Sequence, residues 1–278
     1  MKTALRHAVA SLMRPLRFPG RYRLYELVSS VLGNEPVPFE VPIHAGCRLT
    51  VNSVSFQEMF YLGDLEKNVM LFMDRAVTPE SIVFDVGASI GIVTLPLAKK
   101  ALKVYAFEVL AANLEVLRRN VSRNALPNVE LVHTAVSDQS GTISIPVPNF
   151  QGGNYSLASQ GKTYQNVQAI TIDKFCSTHG VMHVDLMKMD IEGSETRALR
   201  GARKMFLERA IVTTLIEFNP FWLRRMGSSP DELYDLFEEY GLHVHYLTRF
   251  GNAVPISRKQ CMAKITEPET YFNLVLTH

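Results

Sequence analysis

From Ser81 to Thr277 the apolar residues fall in short continuous runs. These alternate with stretches in which apolar positions recur every three or four residues. Continuous β-branched runs bounded by turn residues predict buried strands, and the longer spacing predicts helices packed on them. Strands are expected at Ser81 to Asp85, Lys103 to Glu108, Val129 to His133, Thr142 to Ile145, near Ile170, and at Val184 to Met189. Others are expected at Ile211 to Phe218, His243 to Leu247 and Tyr271 to Thr277. Helices are expected over Ile92 to Lys100, about Ala112 to Asn124, about Glu195 to Leu207, and from Pro230 towards Tyr240. Strands joined by helices, with runs too continuous for a sheet facing water, indicate an α/β fold with a Rossmann-like, doubly wound and mainly parallel sheet. In such a sheet ligands bind beyond the carboxyl ends of the strands.

The first 75 residues follow a different pattern. Tyr25, Val28 and Leu32 recur at helical spacing before a stop at Gly33-Asn34 and Pro36. Val37 to Val51 is Pro-broken and β-branched, which suits extended edge structure with a turn near Gly46. Asp64 is placed to cap a helix whose apolar face is Leu65, Val69, Phe72, Met73 and Ala76. Residues 1–75 are therefore read as a basic arm with accessory helices and strands, and residues 76–278 as the α/β domain.

Composition changes this picture in two places. A formal net charge of +2 is too balanced to call for a nucleic-acid partner. The charge is uneven, however: Lys2, Arg6, Arg14, Arg17, Arg21 and Arg23 all precede the first acid, Glu26. This arm reads first as solvated or partly disordered chain, with contact to an anionic membrane surface as the functional alternative. The apolar stretch Ala8 to Met13 is far shorter than a membrane span, and no small-residue cleavage site follows it, so a cytoplasmic location is expected. Cys47, Cys176 and Cys261 lack paired spacing and are expected to be buried, inert thiols.

The candidate chemistry lies at strand ends. Ile82-Val83-Phe84-Asp85 turns through Val86-Gly87-Ala88-Ser89-Ile90-Gly91 into a helix. Gly87 lets the backbone turn tightly and lie against a ligand, and Gly91 lets the helix start pack near the strand. Asp85 can accept from the turn or from a cationic ligand. A dinucleotide site would need glycine where Ser89 stands, so the spacing favours a ligand without diphosphate. Glu108 ends the second strand, where a carboxylate can take both ribose hydroxyls of an adenosyl group. Ala135-Val136-Ser137-Asp138 is placed to line an adenine or to form a plain turn. The fourth strand ends in Lys188-Met189-Asp190, followed by Ile191-Glu192-Gly193-Ser194-Glu195. Lys188 and Asp190 share one side of a buried strand, so mutual pairing or a ligand is expected. Glu195 falls in a first helical turn, where favouring the helix dipole explains it.

Phe84-Asp-Val-Gly-Ala-Ser-Ile-Gly91, Glu108 with Leu117-Arg-Arg-Asn120, Ala135 to Asp138, Ile172-Asp173, Lys188 to Glu195 and Leu199-Arg-Gly201 together resemble the FkbM family of S-adenosylmethionine (SAM)-dependent methyltransferases. The resemblance runs from about Leu62 onward. It implies a seven-stranded class I methyltransferase sheet whose last strands form an antiparallel hairpin, with SAM as cofactor. It also implies methylation of a hydroxyl on a sugar, lipid or polyketide-type metabolite. Two departures are Ser89, where the family often has Asn, and Val109 and Ala112, where it has prolines. Asp85, Gly87, Ala88, Gly91, Glu108 and Val136 are the expected cofactor residues. Asp190 or Glu192 is the expected base or orienting group, with Lys188 tuning the charge.

A cation such as Mg²⁺ held by Asp190, Glu217 and Asn219 is the less favoured variant. Asn219-Pro220-Phe221-Trp222 is similar to an amino-methyltransferase motif but lies after the wrong strand; Trp222 is instead a candidate for the acceptor pocket. The polar stretch Asn149 to Gln165 is either a closing loop or ordinary surface, and His133, His243 and His245 lack ligand spacing. The acceptor is expected to be a small molecule or glycan, not nucleic acid. Rival readings are a nucleotide-dependent oxidoreductase, disfavoured by Ser89, and a non-catalytic SAM- or membrane-binding module.

Overall fold

The computed structural model describes residues 2–13, 16, 20–33, 37–52, 60, 65–147, 163–267 and 270–278. Asp64 and most of the stretch Asn149 to Gln165 lie outside the described residues. The chain begins with helices α1 (Lys2–Met13) and α2 (Arg21–Leu32), then strands β1 (Phe39–Pro42) and β2 (Arg48–Val51). Next come α3 (Lys67–Ala76), β3 (Ile82–Val86), α4 (Thr94–Ala98), β4 (Lys103–Phe107), α5 (Ala111–Arg123), β5 (Val129–Val132) and β6 (Ala135–Val136). They are followed by β7 (Gly141–Val147), β8 (Thr163–Ile170), α6 (Ile172–His179), β9 (Val184–Met189), α7 (Glu195–Arg200) and α8 (Arg203–Leu207). The remainder is β10 (Ile211–Phe218), α9 (Pro220–Arg225), α10 (Pro230–Glu239), β11 (His243–Leu247), β12 (Ala253–Pro255), α11 (Arg258–Ala263) and β13 (Phe272–Thr277).

The main sheet runs β12-β11-β13-β10-β9-β3-β4-β5. The contacts from β10 through β9, β3 and β4 to β5 are parallel, whereas β13 is antiparallel to both β10 and β11. The expected seven strands are present in this order, and the three-residue β12 adds an eighth at the edge. Burial on both faces explains why the central strands read as near-continuous apolar runs. Phe84, Met187, Ile216 and Leu274 pack into the core on one face, and Val83, Leu186, Leu215 and Val275 into the core on the other. Phe175 of α6 packs its ring edge-on against Phe84, Tyr105 and Phe107, with centroids 4.8–5.6 Å apart.

Three sequence expectations change. Thr142 to Ile145 and the strand near Ile170 form a separate three-stranded sheet, β6-β8-β7, rather than extending the main one. The helix expected from Glu195 to Leu207 is two, α7 and α8. They meet at Gly201, where an added Cβ would lie 2.0 Å from the Ser137 carbonyl oxygen. Of the early basic segment, Lys2–Met13 is helical and Arg21–Leu32 forms a second helix, with Ala10, Met13 and Tyr25 buried between α1 and α2.

The core is not interrupted at residue 75. Leu49 and Val51 of β2 and Val69 and Met73 of α3 share a cluster with Val83, Leu95 and Val104. Asn120 of α5 ties these parts together. Its Oδ1 accepts from Thr50 N (2.8 Å), and its Nδ2 donates to Thr50 O (3.2 Å) and Ile90 O (2.8 Å). A fully buried amide so satisfied offsets its own desolvation and fixes the β1–β2 hairpin beside the β3–α4 turn. Cys47, Cys176 and Cys261 are free and buried; burial pushes the Cys176 thiol up to about 12 and the Cys261 thiol to about 11. Among the described residues no helix is long and apolar enough to cross a membrane.

Candidate active site

The carboxyl ends of β3, β4, β9 and β10 open onto one cleft of about 500 Å³, a size within the usual range for small-molecule sites. The turn after β3 forms one wall. The amides of Gly87 and Ala88 both donate to the Phe107 carbonyl at 3.0 Å, which carries the chain sharply across the end of β4. Gly87 has φ 88°, and a Cβ on it would come within 1.9 Å of the Asp190 carbonyl oxygen. Only glycine lets the β3 turn and the β9 end approach so closely. Ser89 adopts φ 49° and donates its amide to Glu108 Oε2 at 2.8 Å. Asn takes this left-handed conformation more readily than Ser, so the family's usual residue and this one meet the same backbone demand.

Glu108 follows β4 and is buried. Its second oxygen accepts from Leu110 N at 2.7 Å. Burial raises its carboxyl to about 7, although the amides of Leu110 and Ser89 pull the other way. Val86, Gly87, Ala88, Ser89, Glu108, Ala135 and Val136 all line the cleft. Two of the expected cofactor residues sit beneath its wall instead. Asp85 is fully buried, accepts from Thr94 Oγ1 at 2.5 Å and lies 4.0 Å from Lys188 Nζ. Gly91 faces Leu117, whose Cδ1 an added Cβ would meet at 2.7 Å, so its glycine brings α5 against the start of α4. Ser137 and Asp138 leave the cleft and line a neighbouring cavity.

The opposite wall carries most of the charge. Lys188 is buried, stands beside Asp85 in the β3–β9 register, and donates to Asp190 Oδ2 at 3.0 Å. The mutual pairing expected from their shared strand face is therefore present. Burial alone would lower the Lys188 ammonium, but Asp190, Asp85 and Glu66 more than offset it and hold the group above its ordinary value. One carboxylate-bound oxygen each from Asp190, Glu192 and Glu217 lie within 4.8 Å of one another. Burial pushes Glu192 up to about 9, with Asp190 and Glu195 adding to it. Burial also raises Glu217 well above the carboxylate range, reinforced by Asp190 and Glu192. Like charges this close cannot all ionise in a partly dry cleft unless a cation joins them.

Glu195, expected merely to favour a helix dipole, is wholly buried, and its Oε1 accepts from Ile191 N at 3.0 Å. It closes the β9–α7 turn, in which Glu192 (φ 51°) and Gly193 (φ 97°) take left-handed backbone. Burial raises Glu195 to about 7. Asn219 also lines the cleft, where its Oδ1 accepts from Trp222 N at 3.4 Å and caps α9; Glu192 joins Asp190 and Glu217 in the carboxylate group.

Phe221, Trp222 and Tyr271 supply aromatic lining, and Trp222 is thereby brought to the cleft as its position after β10 suggested. Glu66 and Asn113 were not singled out by sequence. Burial raises Glu66 to about 7, with Asp190 adding to it. It precedes α3 in a segment without strand-end signals, and only its left-handed backbone (φ 42°) marks it as unusual.

Residues 85–244 match the family described as the methyltransferase FkbM domain. A ribosomal protein L11 methyltransferase of Thermoanaerobacter pseudethanolicus is 39% identical over 85 residues, covering 30% of this chain and 28% of that protein. A probable ribosomal RNA small subunit methyltransferase A of Methanosphaera stadtmanae is 32% identical over 72 residues, covering 26% of this chain and 27% of its own length. The chain thus spans about a quarter of the length of the curated relatives it matches. Among solved structures, an FkbM methyltransferase of Methylobacillus flagellatus superposes with a TM-score of 0.49 at 16% identity, covering 98% of this chain and 59% of that one.

Proposed function

Because the chain belongs to the FkbM methyltransferase family, we propose that it uses SAM to methylate a hydroxyl oxygen of a small molecule, glycan or lipid. The observation that carries this reading is the joining of a glycine turn and a buried Glu108 along one wall of a cleft whose other wall is the Asp190, Glu192 and Glu217 group. The donor set suits the cofactor. Glu108 can accept from ribose hydroxyls, Ala135 and Val136 give an apolar seat for a purine, and the carboxylates favour a cationic sulfur. Asp85 and Gly91 act from below, Asp85 by holding Lys188 and Thr94, and Gly91 by setting the turn.

When bound, SAM supplies a methyl group already activated by its sulfonium. The protein must then align an oxygen with that methyl and accept the hydroxyl proton. Asp190, fixed by its ion pair with Lys188, presents an oriented carboxylate. Glu192 holds a proton in the free cleft and releases it when a cation enters, becoming a second acceptor beside Asp190. Phe221 and Trp222 exclude water from that end. The charge of the cleft supports an uncharged hydroxyl acceptor. Among the described residues its lining holds one basic side chain, Lys188, already engaged with Asp190 and Asp85, so no free cation is offered to a phosphate-rich chain. The test is incubation with radiolabelled SAM and cell extract. Label is expected in a metabolite, glycan or lipid fraction; label confined to RNA or protein, or none at all, would overturn the assignment.

One observation favours a second reading. The 4.8 Å grouping of Asp190, Glu192 and Glu217 is oxygen chemistry suited to Mg²⁺, which would hold all three ionised and polarise the acceptor hydroxyl. Activity unchanged after thorough chelation rejects this variant and leaves the carboxylates to act alone.

A further inference from the structure

We propose that α1 and α2 form a membrane-surface anchor that holds the protein on anionic lipid. This inference is independent of the activity proposed above. The two helices pack as a hairpin through Ala10, Met13 and Tyr25, with Val9 against them. Each also carries an apolar stripe turned away from that seam. On α1, Leu5 and Leu12 are 52% and 74% exposed; on α2, Leu24, Leu27 and Val31 are 44%, 63% and 74% exposed. At about 100° per residue, Leu5 and Leu12 fall on one line of α1, and Leu24, Leu27 and Val31 on one line of α2, each roughly a quarter-turn or more from the buried positions. Five large aliphatic side chains left in water on two short paired helices have no role in the core.

Charge selects the occupant. Six basic residues and no acid precede Glu26, so the hairpin is cationic as well as apolar. A helix with an apolar stripe and basic flanks lies in the headgroup plane of an anionic bilayer, its apolar side chains reaching the acyl boundary. Each nearby basic residue strengthens such binding roughly fivefold at ordinary ionic strength. A nucleic acid would match the charge but would leave the leucines exposed; a second copy of this chain would cover the leucines but repel the charge.

The experiment is co-sedimentation of the full-length protein with vesicles of phosphatidylcholine alone or with about a third phosphatidylglycerol added. Binding is expected only to the anionic vesicles, and it should fall at least tenfold when salt is raised to about 0.5 M. The triple variant Leu12→Gln, Leu27→Gln, Val31→Gln should lose that binding while its circular dichroism and melting transition match the parent, since all three positions are exposed. Arg23→Gln should weaken binding severalfold. Failure of the parent to sediment with anionic vesicles at low salt would overturn the proposal, as would full binding by the triple variant. So would capture of an RNA homopolymer without vesicle binding, or a parent that is dimeric by light scattering, with the triple variant monomeric and neither binding lipid.

Discussion

Glu192 shows how the charge of this cleft governs single side chains. Its carboxyl, raised by burial to about 9, shares a 4.8 Å space with Asp190 and Glu217. Asp190 has Lys188 as its counter-ion, whereas Glu192 keeps its proton until positive charge arrives. If these two groups orient and deprotonate the acceptor, Asp190→Asn and Glu192→Gln should each lower turnover by about 100-fold or more. Both should still bind SAM. Near-normal label transfer by both variants would remove them from the chemistry. Glu108 is distinguished by a different readout. Glu108→Gln substitutes an amide for an acceptor that already serves the Ser89 and Leu110 N–H groups, leaving one of them facing an NH₂. Its SAM affinity should fall roughly 10- to 100-fold, the cost of one charge-assisted hydrogen bond. Unchanged affinity by calorimetry would show that this carboxylate does not grip the ribose.

At the level of elements, the strands were the most legible part of the chain. Ile211 to Phe218 and His243 to Leu247 have the bounds their sequence predicts, because β-branched and aromatic residues between turn-forming segments mark a strand. The helix boundaries were less legible where tertiary contact overrides local preference. Nothing in the sequence from Glu195 to Leu207 breaks the helical pattern except Gly201, where the Ser137 carbonyl oxygen lies 2.0 Å from where a Cβ would stand and the Gly201 carbonyl accepts from Asp173 N at 3.0 Å. Gly201 has ordinary right-handed backbone (φ −71°), so Gly201→Ala isolates this close approach from conformational strain. It should destabilise the protein by about 1–3 kcal/mol, read as a lower denaturant midpoint; an unchanged midpoint would contradict the packing described here. Asp173 teaches the same lesson in reverse. The sequence marked it only as part of a family pattern, yet its carboxylate accepts from Lys204 N and Met205 N at 2.9 and 3.0 Å and so caps the start of α8. The strand-end residues were legible because sheet topology alone brings them together. Glu66 was not, because its place in the cleft depends on how α3 docks.

Across the whole molecule, the buried acids couple folding to pH. Glu66, Glu108 and Glu195 are raised to about 7 and Glu192 to about 9, from an ordinary value of 4.5. Raised groups keep protons in the folded state that the unfolded chain has already released. Their contribution is therefore fully present below about 4.5 and is lost as pH climbs through about 7 towards about 9. The ligand-free protein should melt at progressively lower temperature between pH 6 and pH 9, and Glu192→Gln should flatten the upper part of that decline. A melting temperature constant or rising across this window would contradict the protonation states assigned to the cleft. The central claim is that this cleft binds a cationic adenosyl compound, and titration calorimetry with SAM and with its demethylated product, near pH 8 in two buffers of different ionisation enthalpy, tests it most directly. Both ligands should bind at one site per chain, and SAM should release the larger number of protons because only it brings a sulfonium charge to Glu192. No heat from either ligand, on protein shown to be folded by circular dichroism, would contradict the account.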